Sequence, residues 1–131
     1  MTVVDSSALV AILEEEPEHH HFAEALRAAS RRLVSTITLY ETGIVLLRRR
    51  GLSGLAALHE LADALHLEVV PFDRSQSETA IAAYARFGKR ISPEARLNMG
   101  DCASYALAMS LGAPLLYKGE DFVHTDVTTC P

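Results

Sequence analysis

The chain has 131 residues, 49% of them hydrophobic, and a formal net charge of -5. Residues 1–131 are the size of one domain with ample apolar content for a core, and the acidic balance argues against a protein that coats nucleic acid non-specifically. No apolar run is long enough to span a bilayer or resembles a leader. The two cysteines, Cys102 and Cys130, form neither a metal-type pair nor a disulfide framework, which predicts a cytoplasmic chain with free thiols.

Thr2-Val3-Val4 reads as a short interior strand that ends in Asp5 and turns straight into a helix, with Ser6 or Ser7 as its cap and Ala8 to Leu13 as its body. Asp5 therefore stands at a strand's carboxyl end, where open α/β sheets bind ligands; the plainer alternative is that it caps the helix. Pro17 is placed to open a second helix at its first turn, with Phe22, Ala25, Leu26 and Ala29 as the apolar stripe. The run His19-His20-His21 lies inside that helix, where adjacent side chains diverge, and reads as solvated surface. Leu33-Val34-Ser35 is the next strand, and Thr36 or Thr38 can cap a helix from Leu39 to Arg50.

Glu41 is the only charge between Leu33 and Leu47, and its helical neighbours Ile37, Ile44 and Val45 are apolar. A carboxylate on such a face requires a partner, either a hydrogen-bond donor, an arginine or a metal. Gly51 or Gly54 ends this helix, and Leu55 to Leu65 forms another. A strand follows over Leu67 to Phe72, then a helix from Asp73 through Phe87, then an irregular loop from Gly88 to Asn98. Asn98 caps an almost uncharged helix that carries Asp101 in its first turn and ends at Gly112. Ala113 to Tyr117 is a buried strand leading into Lys118-Gly119-Glu120-Asp121, and Val127-Thr128 can add an edge strand.

Alternating strands and helices predict an α/β/α sandwich with a mainly parallel central sheet. Asp5 and Asp121 then share one sheet edge, and Glu41 and Asp101 can reach the same cleft. Two like charges about 4 Å apart repel by roughly 4 kcal/mol at an effective dielectric near 20. Such a cluster is stable when protonated or bound to a hard cation, and oxygen ligands select Mg²⁺ or Mn²⁺. Metal-assisted phosphodiester hydrolysis is the matching chemistry. The other readings are a metal-dependent DNA nuclease or phosphatase, and a catalytically degenerate domain that only binds a partner.

The residues also carry a family resemblance. Asp5-Ser6-Ser7-Ala8-Leu9-Val10-Ala11 resembles the opening of PIN-domain nucleases, specifically the VapC toxins of type II toxin–antitoxin pairs. Leu97 to Cys102, Tyr105 to Ala108 and Leu115 to Phe122 are similar to the family's later motifs in order and spacing. The resemblance implies a PIN-like three-layer fold and a Mg²⁺-dependent endoribonuclease, with Mn²⁺ able to substitute. It further implies an RNA substrate, inhibition by a cognate VapB-like antitoxin, and a homodimer.

Carried over, the acidic quartet is Asp5, Glu41, Asp101 and Asp121, with the hydroxyl of Ser7 beside the metal and Asn98 in support. Many relatives have an acid or Asn where Gly119 stands, so Glu120 and Asp126 are alternatives to Asp121. Lys89, Arg90 and Lys118, in or beside segments flanking the site, are candidates for RNA phosphate contacts.

Overall fold

Val3 and Val4 are both fully buried, in a strand β1 that spans Thr2–Val4 of the computed structural model, which describes residues 1–131. Three further short strands are β2 (Arg32–Ser35), β3 (Glu68–Val70) and β4 (Leu115–Leu116). All pair in parallel, in the order β3-β2-β1-β4. Helices α1 (Ser6–Leu13), α2 (His19–Ala28), α3 (Thr36–Ala64), α4 (Arg74–Phe87) and α5 (Met99–Leu111) complete the chain.

The continuous apolar character of the strands follows from having helices on both sides. Val3, Leu33 and Leu115 point into one core, together with Leu97, Tyr105 and Leu107. Their neighbours Val4, Val34 and Leu116 point into the other, together with Leu9, Phe22 and Leu26. The three-layer sandwich is therefore written in the period-2 alternation of three short strands. No helix is long and apolar enough to cross a membrane.

Several boundaries differ from the sequence expectation, each for a local reason. The cap of α1 is Asp5, not Ser6 or Ser7, because its carboxylate accepts from the Ser7 backbone N. The cap of α3 is Ser35, not Thr36 or Thr38, through a 3.2 Å bond from Ile37 N. Pro17 precedes α2 by two residues and does not occupy its first turn. Gly51, at φ 65° and ψ −152°, breaks α3 into two helical arms, and Gly54 sits buried beyond the bend. The proposed edge strand at Val127-Thr128 reduces to a single parallel bridge between Thr129 and Leu115.

Leu107 is fully buried between α5 and the sheet, whereas Ile81 on α4 is 68% exposed. Leu107→Ala should lower the free energy of unfolding by about 2–5 kcal/mol, and Ile81→Ala should change it by less than about 0.5 kcal/mol. Chemical denaturation of both variants checks this, and equal losses would contradict the assignment of the core.

Candidate metal centre

In a parallel sheet every strand's carboxyl end lies on the same edge. The path β1 to β2 to β3 steps one way across the sheet, whereas β4 joins β1 on its other side. The topology therefore switches between β1 and β4, the place where open α/β sheets bind ligands. Asp5 follows β1 directly, and Lys118 to Asp121 follow β4.

Asp5 is only 1% exposed. Ser7 donates to its Oδ2 twice, from the backbone N at 3.0 Å and from Oγ at 2.6 Å, and Ser104 Oγ donates to Oδ1 at 2.6 Å. Ser104 has one proton and gives it to Asp5, so Thr38 is the donor in the 3.0 Å contact between Thr38 Oγ1 and Ser104 Oγ. A carboxylate oxygen accepts about two bonds, which fills Oδ2 and leaves one position open on Oδ1. No lysine, arginine or histidine pairs with Asp5.

Asp101 belongs to a capping box at the start of α5. Its backbone N donates to Asn98 Oδ1 at 2.8 Å, and Asn98 N donates to its Oδ2 at 3.0 Å. The second oxygen, Oδ1, has no protein partner. Burial pushes the Asp101 carboxyl up to about 7; the Asn98 backbone bond opposes the rise, and the charges of Asp5, Asp121 and Glu41 add to it. Burial likewise raises Glu41, opposed by the Ser6 side chain and reinforced by Asp5. Glu41 is half-buried against Gly100, where a Cβ would fall 2.4 Å from its Oε2. Glycine at position 100 is thus what lets α3 present this carboxylate beside the first turn of α5.

Asp121, exposed on the loop after β4, acts on Asp101, whereas Asp126 does not. Asp126 instead accepts a 2.5 Å bond from Tyr105 Oη and pairs with Arg86 at 3.4 Å, and these contacts hold its carboxyl below the ordinary range. Glu120 is exposed beside Asp121 and makes no ion pair. Lys118 is committed elsewhere: its ammonium pairs with Glu16, and with Glu18 at 3.3 Å, while its backbone N donates to Ser7 Oγ at 3.0 Å. Lys89 and Arg90 are exposed in the loop before α5 and form no ion pair.

No three acidic, histidine or cysteine side chains close into a preformed ligand cage. Asp5, Asp121 and Glu41 instead each stand within electrostatic range of Asp101. Their donor atoms are all oxygen, burial and neighbouring like charges raise the carboxyls of Asp101 and Glu41, and Asp5 is buried with no lysine, arginine or histidine partner. Those three properties fit a hard divalent cation.

Residues 2–127 match the PIN domain family. The chain is 43% identical over 127 residues to Ribonuclease VapC30 of Mycobacterium tuberculosis, covering 97% of this chain and 96% of that one. The chain is a PIN-domain protein of the VapC ribonuclease family. The fold of VapC20 from Mycobacterium tuberculosis, described as a sarcin-ricin loop cleaving toxin, superposes with a TM-score of 0.81 at 19% identity, with both chains covered in full. DNA-bound VapBC from Salmonella typhimurium gives a TM-score of 0.76 at 19% identity over 98% of this chain and 94% of that one. VapC ribonucleases are metal-dependent as a class.

Four residues of this PIN domain's site escaped the sequence reading. Ser104 bonds Asp5, Thr38 bonds Ser104, Ser6 sits beside Glu41, and Gly100 makes room for it. Ser104 had a signal, since it is a hydroxyl in the apolar first half of the helix, three residues and so about one turn beyond Asp101. Thr38 and Ser6 resemble ordinary caps, and nothing local distinguishes Gly100 from a helix-opening glycine.

The raised Asp101 carboxyl has a consequence for stability. Its ordinary value is 3.8 and its folded value about 7. Between these, the folded state holds a proton that the unfolded state has lost, so stability falls as pH rises through that window. Asp101→Asn removes this titration, while its amide oxygen can still accept from Asn98 N. The melting temperature of the variant should therefore gain on that of the metal-free wild type from pH 4.5 to pH 7.5. A difference that does not change with pH would contradict the electrostatic account.

Proposed function

We propose that the chain is a toxin of the VapBC type that hydrolyses RNA phosphodiester bonds with Mg²⁺ or Mn²⁺ held by Asp5, Glu41, Asp101 and Asp121. The observation that carries the proposal is Asp5, buried with no basic side chain paired to it, beside an Asp101 carboxyl pushed up to about 7. A bound divalent cation supplies Lewis-acid polarisation of a phosphodiester oxygen and lowers the pKa of a coordinated water. The remaining roles fall to the chain's own residues.

Asp5 keeps one acceptor position open on Oδ1, and Asp101 keeps its Oδ1 free of protein partners, which suits both to hold the ion. Ser7 and Ser104 lock the orientation of Asp5, and Asn98 locks that of Asp101. Glu41 and Asp121 flank Asp101 electrostatically and can orient or deprotonate the attacking water. The substrate is negatively charged and the cleft is acidic, so the reaction depends on cation loading. Lys89 and Arg90, on the loop leading to Asn98, are placed to meet the RNA backbone.

The partner in this reading is a VapB-like antitoxin. Apolar surface between the two arms of α3 supports it: Leu39, Tyr40, Ile44, Leu47 and Leu55 line an open groove, and Tyr40 is 70% exposed. A second apolar face, with Ile81 and Met99 at 68% and 85% exposure, supports pairing with a second copy of the chain.

RNA cleavage should require added Mg²⁺ or Mn²⁺, stop in excess EDTA, and leave 5′-phosphate ends. Asp101→Asn should lower the rate by at least about 100-fold, the order expected when a positioned acid–base or metal-holding group is removed. Gel analysis of a labelled RNA measures both, and full activity in EDTA would overturn the mechanism.

A further inference from the structure

The basic residues near the carboxylate cluster and the loop before α5 differ in whether they are engaged. Arg86 is engaged by Asp126 and stacks on Phe87, and Lys118 is engaged by Glu16 and Glu18. Lys89, Arg90 and Arg96 make no ion pair. These three, with Ile91, Ser92 and Pro93, line one open cleft of about 400 Å³. The one acid of the loop, Glu94, accepts a 3.4 Å bond from Ser92 Oγ and pairs with no base.

The loop is built, not slack. Lys89 N donates to Leu97 O at 2.7 Å, and Leu97 N donates to Phe87 O at 2.8 Å, closing its base. Tyr84 Oη donates to Lys89 O at 2.9 Å, and Ala95 N donates to Ser92 Oγ at 3.0 Å. Ala95 and Leu97 are fully buried and anchor the far side. Within this frame Arg90 and Arg96 adopt φ of 77° and 59°, two of the four non-glycine residues of the chain with positive φ. Such backbone is uncommon for a long side chain. Here it sets two arginines on one cleft.

We propose that this cleft is an anion subsite that holds an RNA phosphate neighbouring the scissile one, with Arg96 as its principal ligand; the proposal rests on the ribonuclease reading above. Arginine presents a planar fork of donors suited to a phosphate, and Lys89 and Arg90 supply further positive charge. Arg96 stands two residues before Asn98, the cap that positions Asp101, so their Cα atoms are at most about 7 Å apart. The loop that lines the cleft thus runs directly into the cap that positions Asp101, so one RNA strand is the occupant that would meet both. The arrangement also resolves a charge conflict. The metal centre is acidic, and an uncommitted cationic cleft beside it offsets the repulsion that the RNA backbone meets there.

The test measures binding of a short fluorescent single-stranded RNA in EDTA, between about 50 and 200 mM salt, together with steady-state cleavage in Mg²⁺. The variants are Arg96→Gln, the triple Lys89→Gln/Arg90→Gln/Arg96→Gln, and a control, Arg74→Gln, at the exposed start of α4. Loss of one phosphate contact should reduce the slope of log Kd against log salt by about 0.7. Arg96→Gln should show that reduction and a raised KM with little change in kcat; Arg74→Gln should show neither. Arg96→Gly, which suits the positive φ, should fold and give the same loss. Trimming the RNA one nucleotide at a time from the end that occupies the cleft should raise KM in the wild type and not in the triple variant. Unchanged slope and KM in a wild-type-like fold would overturn the subsite, as would variants that keep their RNA kinetics but no longer retain a copurified partner protein. A wild type that cleaves no RNA would remove the ribonuclease reading itself, and the subsite with it.

Discussion

A carboxylate buried at the end of the central strand, with no cation beside it, is the constraint on which the rest of this structure depends. An isolated ionised carboxylate in a protein interior is costly unless it is paired and hydrogen-bonded. Asp5 is 1% exposed, and the protein supplies hydrogen bonds but no counter-charge. Ser7 and Ser104 come from opposite sides of the sheet, one from the helix that Asp5 itself caps and one from the middle of α5. Their bonds fix the carboxylate's orientation, and Thr38 extends the chain of hydroxyls into α3. Three helices are thereby tied to one acid, and the charge that they leave unbalanced is available to a divalent ion.

The topology explains why this acid and the others meet. Placing β4 on the far side of β1 brings the loop after β4 over the same edge that Asp5 occupies. That loop is held at both ends. Lys118 fastens its start through Ser7, Glu16 and Glu18, and Asp126 fastens its end through Tyr105 and Arg86. Asp121 lies between the two anchors, exposed yet close enough to raise the Asp101 carboxyl. The repulsion among these acids is a cost to the metal-free fold of the kind found at functional sites.

Much of the architecture was legible in the sequence because its signals are local. Short apolar runs ending in polar residues mark β1, β2 and β4, and the lone charge of Glu41 on an apolar face marks a carboxylate in need of a partner. The helix starts were shifted because Asp5-Ser6-Ser7 and Ser35-Thr36 each offer consecutive capping side chains, and only the backbone decides which one accepts. Asp101 is the reciprocal partner of Asn98 with its other oxygen free, so its capping bonds leave that oxygen available to an ion. What the sequence hid is non-local. The contacts of Ser104 with Asp5 and of Lys118 with Glu16 span 99 and 102 residues, and no spacing rule reaches that far. The clearance that Gly100 gives Glu41 is likewise a contact between two helices.

The central claim is that Asp5 holds a divalent cation and is not buried for packing alone. Titrating Mn²⁺ into the purified protein and following water-proton relaxation or the electron paramagnetic resonance of free Mn²⁺ gives the affinity directly, without reference to cleavage. Asp5→Asn keeps the volume; its amide oxygen can still accept from Ser7, and its amide nitrogen can donate to Ser104 Oγ. The account predicts a folded variant whose Mn²⁺ affinity falls at least about tenfold, consistent with the 10–100-fold losses seen even for outer-shell partners of a metal. A folded Asp5→Asn protein that binds Mn²⁺ as tightly as the wild type would contradict it.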